Sequence, residues 1–200
     1  MMPIKPRCRS QLNAEDLHTV AASIAGRGNE TNALVELIRD DATRDAVLES
    51  ERLLRTLLEN PGLLPVSARL YFYALTRHVL VGFDRSIADY VASVLAAFVD
   101  IDRMRTMPGH PEMRADYVTD MLMALSAVSS DRAFYIRAHV GNYSLFMAGI
   151  FPDYIQRRAE VRGAPDISFY DDMARSNYRV AATIPTQSLP RASDDLRLLQ

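Results

Sequence analysis

The chain has 200 residues, 48% of them hydrophobic, with 23 basic and 25 acidic side chains and a formal net charge of -2 at pH 7. A chain of this length can bury roughly 70% of its unfolded surface, so it needs no disulfide or metal to fold. The near-neutral balance gives no general electrostatic reason to bind nucleic acid or an anionic membrane. Cys8 is the single cysteine, which excludes a structural intrachain disulfide and suits a reducing compartment.

Residues 1–12 read as a flexible N-terminal arm that carries Cys8. Lys5, Arg7 and Arg9 open it, but Gln11 to Asp16 follows where the apolar core of a secretory signal would lie. Asn13 is an N-cap candidate for a first helix with Glu15 and Asp16 in its first turn, ending at Gly26-Arg27-Gly28. A second helix starts near Thr31 with Leu34, Leu37 and Ile38 on its apolar face. After a break at Asp40-Asp41, Val47, Leu54, Leu57 and Leu58 carry a third, which Asn60-Pro61-Gly62 stops.

Pro65 opens a fourth helix. Its apolar residues from Val66 to Phe83 lie all round the cylinder, the pattern of a central helix. Ser86 caps a fifth, on which Ile87, Tyr90, Val91, Val94, Leu95, Phe98 and Ile101 follow the i, i+3, i+4, i+7 template. Two prolines and a glycine between Met107 and Glu112 predict a loop. A sixth helix carries Tyr117, Val118, Met121, Leu122, Leu125 and Val128; a seventh follows Ser129-Ser130-Asp131. Pro152 starts a short polar helix that ends at Gly163. Asp166 or Ser168 caps the last helix, with Ile167, Tyr170, Met173, Ala174, Asn177 and Ala181 facing inward. Residues 185–200, with two prolines and little apolar content, read as a flexible C-terminal tail.

These elements predict an all-α fold: a single irregular bundle of about eight helices over residues 13–184, with the fourth and seventh helices the most buried. No period-2 strand of any length is visible. The apolar stretch 138–151 is interrupted by His139, Asn142 and Ser144 and falls short of the roughly 20 residues of a membrane span. The expected location is cytoplasmic.

The seventh helix holds the chain's most unusual segment, from His139 to Tyr154. Gly141, Leu145 and Gly149 recur every four residues and so share one face. Each glycine costs a helix interior about 1 kcal/mol relative to alanine, so something is expected to pack close against that backbone, either a helix or a ligand. Tyr143, Phe146, Phe151 and Tyr154 cluster near the glycines. Together with His139, Gly141 and Asn142, and with Arg77 and His78 on the fourth helix, Tyr143 forms a candidate ligand-binding set: an aromatic-lined pocket with imidazole, amide and guanidinium anchors. The alternative is that both histidines satisfy polar spots in a packed core and the aromatics are core.

Other constellations are weaker. Glu15-x-x-His18 is the only pair of that spacing, and a di-iron bundle needs two. Asp41, Asp45 and Glu49, with Arg44, Arg52 and Arg55 nearby, read as a solvated, salt-bridged face. Asp116, Asp171 and Asp172 suit helix first turns. Arg157, Arg158 and Arg162 give a modest basic face moderated by Glu160. No nucleophile elbow or phosphate-cradling loop occurs. No catalytic residue, metal ligand set or cofactor is assigned.

Three segments carry a resemblance: Leu70-Tyr-Phe-Tyr with Arg77-His78; Ala88-Asp-Tyr-Val-Ala-Ser-Val-Leu-Ala-Ala-Phe98; and Gly141-Asn-Tyr-Ser-Leu-Phe-Met-Ala-Gly-Ile-Phe-Pro152, continuing to Phe169-Tyr170, Met173 and Tyr178. The stretch from Pro61 to Ala182 resembles an uncharacterised family of small, all-helical bacterial proteins. The resemblance implies a helical bundle and no activity, cofactor or catalytic residue. The function expected from the sequence is a non-enzymatic interaction or regulatory module that binds a protein partner or itself as a homodimer, without nucleic acid or membrane. The alternative is a small-ligand or metallocofactor binder with an aromatic-lined pocket between the helices carrying His78 and His139.

Overall fold

The computed structural model describes residues 8–25, 29–60, 62–108 and 110–184. The N-terminal arm through Arg7, the Gly26-Arg27-Gly28 stop, Pro61, Gly109 and the 185–200 tail lie outside the described residues. The all-α class holds, but with eleven α-helices among the described residues rather than about eight. They are α1 (Ala14–Ala25), α2 (Asn29–Leu37), α3 (Asp41–Leu48), α4 (Glu51–Glu59), α5 (Ala68–Val79), α6 (Arg85–Phe98), α7 (Ile101–Arg105), α8 (Val118–Met123), α9 (Ser130–Ile150), α10 (Pro152–Arg162) and α11 (Ile167–Thr183). No helix among them is long and apolar enough to cross a membrane.

The extra helices come from caps inside what the apolar period reads as continuous. Ser50 accepts from Leu53 N at 3.3 Å and starts α4 afresh, splitting the expected third helix. Asp100 accepts from the backbone of Asp102 and Arg103 and sets off α7. The fourth helix begins later than Pro65, because Ser67 caps it by accepting from Leu70 N. It also stops at Val79, before Gly82, which sits at φ 89°. Asp84, rather than Ser86, caps α6, accepting from Ser86 N at 2.7 Å. Asn13, Pro152 and Asp166 act as their positions predict. The expected 107–112 loop instead contributes to a two-stranded antiparallel ribbon, β1 (Thr106–Met107) with β2 (His110–Arg114).

The described residues fall into two compact units, one within Pro6–Ala96 and one within Ala97–Gln200. The N-terminal unit is built on Val20, Ala21, Ile38, Leu48, Leu53, Leu57, Leu70, Tyr73 and Ala74, all buried. Cys8 belongs to this core: it is 1% exposed, and its thiol lies 3.6 Å from the Arg69 carbonyl. The Cys8 end of the expected arm is therefore packed, as part of a single 3-10 turn (Arg9–Gln11). Asp16 is fully buried at the start of α1, where its carboxylate accepts from Ser67 N and Oγ, both at 2.7 Å. One carboxylate thus holds the starts of α1 and α5 together.

The acidic row at Asp41, Asp45 and Glu49 is not uniformly solvated. Asp45 is 7% exposed. It accepts from Arg9 at 2.8 and 2.7 Å and from Arg85 at 3.2 Å, while Glu49 accepts from Arg77 at 3.2 Å and Arg85 at 2.7 Å. Its partners come from distant segments, not from its own helix. Burial alone would raise the Glu49 carboxyl, but Arg85 and Arg77 outweigh it and hold it below the usual glutamate range.

In the C-terminal unit α9 is the axis. It packs along α11 and also meets α8 and α10. Residues 138–144 are buried without a break, so the middle of this helix is enclosed on every side. Around it lie Phe98, Met107, Val118, Met121, Ile155, Tyr170 and Tyr178.

Candidate functional site

The six residues singled out in the sequence divide between the two units. Arg77 and His78 belong to the N-terminal unit. Arg77 is committed to Glu49, and its guanidinium also reaches the Phe83 carbonyl at 3.4 Å. His78 turns its Nδ1 back to the Ala74 carbonyl at 3.1 Å, one turn earlier on its own helix.

His139, Gly141, Asn142 and Tyr143 are neighbours on α9 in the C-terminal unit. His139 is 3% exposed. It bonds the backbone of Met104 and meets Phe98 edge-on, centroids 5.6 Å apart, while its Nε2 has no hydrogen-bond partner among the described residues. Burial drops its pKa to about 4, against a smaller opposing effect of the Met104 bond, so the ring is neutral at pH 7. A neutral imidazole anchored on one nitrogen resembles a metal ligand. Among the described residues, though, no three His, Cys, Asp or Glu side chains gather as ligands.

Gly141 faces Tyr178 of α11: a Cβ built there would stand 2.6 Å from Tyr178 Cε1. Asn142 is 3% exposed and accepts from the Tyr178 hydroxyl at 2.8 Å. The close approach expected at the glycine stripe is thus, at Gly141, an internal helix–helix contact. Gly149 has nothing within 4 Å of its Cβ position. Tyr143 lines an open cleft. Its hydroxyl donates to the Asp116 carbonyl at 3.2 Å, and burial pushes its pKa up to about 12.

That cleft has a volume of about 460 Å³ and lies wholly within the C-terminal unit. Two helical rows with a spacing of four build its main walls. Tyr143, Met147 and Phe151 run down the end of α9, and Tyr154, Arg158 and Arg162 run along α10. Pro152 at the first position of α10 turns the chain, so that one row follows the other. Met104 and Arg105 from α7, with Asp116 and Tyr117 before α8, complete the lining.

The lining is amphiphilic and positively charged. Arg105 Nε is 3.1 Å from Asp116 Oδ1, which offsets one guanidinium. Arg158 lies over the Tyr154 ring, 5.5 Å from its centroid, a cation–π contact, and its Nε is buried with no hydrogen-bond partner among the described residues. Tyr117, Tyr154 and Phe151 are 58%, 53% and 43% exposed, so three rings stand open at the cleft.

Sequence reading missed Arg105, Asp116, Tyr117 and Met104 as parts of a site. It took Arg158 and Arg162 as a basic face and Tyr154 as part of an aromatic cluster, without joining them. The available signal was the 154, 158, 162 row following the 143, 147, 151 row across a proline. The chain matches no protein-family model, no curated protein and no solved structure.

Proposed function

We propose that this chain is a non-enzymatic binding module whose C-terminal unit takes a small, negatively charged organic ligand in the cleft between the end of α9 and α10. The observation that carries this reading is the pairing of exposed aromatic rings with surplus arginines in one cleft: three guanidiniums against one carboxylate. Its volume lies within the roughly 300–1,000 Å³ of small-molecule sites. Tyr143, with its pKa up at about 12, stays protonated at neutral pH, and guanidiniums stay charged. These groups hold fixed charge and fixed donors, which suits binding rather than proton transfer.

Thermal melting with a panel of carboxylates, phosphates and their neutral esters tests the proposal. A ligand bound only by the folded state raises the melting temperature. Anionic members are expected to raise that of the wild type and to leave Arg158→Glu unmoved. A panel that shifts neither protein, or both equally, contradicts the reading.

A second reading is favoured by a separate feature of the N-terminal unit. Val79, Val81 and Phe83, around the turn after α5, are 72%, 74% and 59% exposed. An apolar turn left open in this way supports contact with a protein partner or a second copy. Light scattering tests the homodimer form: a dimer that Val81→Glu returns to monomer supports it, and a strictly monomeric wild type contradicts it.

A further inference from the structure

The chemistry of the ligand can be narrowed from the charges and rings that line the cleft. Arg158 and Arg162 stand one turn apart on α10, and neither has an ion-pair partner among the described residues. The Arg105 charge, by contrast, is already met by Asp116. The unmet demand is therefore for two negative charges, not one. A carboxylate supplies one; a phosphate monoester carries about -1.5 to -2 at pH 7 and offers three acceptor oxygens. The planar fork of arginine matches phosphate oxygens two at a time.

The walls beside those arginines are flat and apolar. Tyr154 already accepts a guanidinium over its ring, and Tyr117 and Phe151 are half-exposed at the same cleft. A flat ring on the ligand would cover them as an aliphatic chain could not, because ring faces and edges attract one another beyond their shared area.

Resting on the cleft reading above, we infer that the ligand is an aromatic phosphate monoester, with its phosphate on Arg158 and Arg162 and its ring against Tyr117, Phe151 and Tyr154. Nucleoside monophosphates and aryl phosphates both belong to this class.

Titration calorimetry on the full chain with phenyl phosphate, adenosine 5'-monophosphate, benzoate and inorganic phosphate tests the inference. At least one aromatic phosphate is expected to bind ten times or more tightly than either benzoate or inorganic phosphate. Arg162→Ala, a change at an exposed side chain with no ion-pair partner among the described residues, is expected to weaken that binding at least tenfold at unchanged melting temperature. Benzoate binding as tightly as phenyl phosphate overturns the dianion, and inorganic phosphate binding as tightly overturns the ring; the cleft reading survives both. Silence from all four probes overturns the inference. If the wider melting panel then yields another ligand at Arg158, the cleft reading stands without it; if that panel is silent too, both fall.

Discussion

The ring of Tyr178 packs so close to Gly141 that a Cβ there would stand 2.6 Å from its Cε1, and its hydroxyl donates to Oδ1 of the adjacent Asn142 at 2.8 Å. The hydrogen bond fixes the ring where it occupies the space of a side chain that glycine lacks. One contact thereby sets both the spacing and the register of α9 against α11.

Gly141→Ala should therefore destabilise the protein, although alanine favours a helix by about 1 kcal/mol over glycine. The new methyl would meet Tyr178 ring atoms at 2.6 to 2.9 Å. Overpacking of this kind costs about 1–3 kcal/mol, and a ring held by Asn142 has little room to retreat. Gly149→Ala meets nothing within 4 Å and should stabilise by about 0.5–1 kcal/mol. Urea denaturation of the two variants should show opposite signs.

His139 should make stability depend on pH in mild acid. Unfolded, the ring titrates near 6.5; folded, near 4. Above pH 6.5 neither state holds the proton. Between pH 6.5 and 4 the unfolded chain takes it up and the folded chain does not, so stability falls as pH falls, by up to about 3 kcal/mol. His139→Gln should show a shallower fall in melting temperature across this window. Equal slopes would show that the ring is not held neutral by burial.

Cys8 should be inert in the folded protein. Burial is the main cause that pushes its thiol up to about 12, and the thiolate is the reactive form. Ellman's reagent should leave it unmodified under native conditions and modify it fully in denaturant. Fast native labelling would mean that the turn carrying Cys8 does not stay packed.

Asp45→Asn should weaken the N-terminal unit by about 1–2 kcal/mol, since hydrogen bonds to charged groups contribute about 1.5–3 kcal/mol and Arg9 retains some solvent. Asp41→Asn, at an exposed carboxylate paired with Arg44 of its own helix, should change nothing measurable. Parallel denaturation curves distinguish a buried junction of distant segments from a solvated helix face.

Much of the fold was legible because its signals are local. Asn13 and Asp166 cap helices through backbone donors three residues on, and Pro152 begins α10 at the position where its missing N–H costs nothing. The break at Ser50 was not legible, because Leu54, Leu57 and Leu58 carry the apolar period on as if the helix were continuous. The burial of Cys8 and the Arg9–Asp45 pair depend on segments far apart in sequence, which no local pattern encodes. The candidate site was legible only in part. Tyr143 lines the cleft, but Asn142 and Gly141 serve α11, and Arg77 is bound to Glu49. Arg105 and Asp116 reach the cleft from the two ends of the ribbon between α7 and α8.

The cleft itself is best tested by methionine-methyl NMR, because Met104 and Met147 line it and Met121 does not. The strongest stabiliser from the melting panel would be titrated into methyl-labelled protein. The account predicts that the Met104 and Met147 resonances move together and saturate while Met121 stays fixed. Saturating shifts at other methionines, with Met104 and Met147 unmoved, would contradict it.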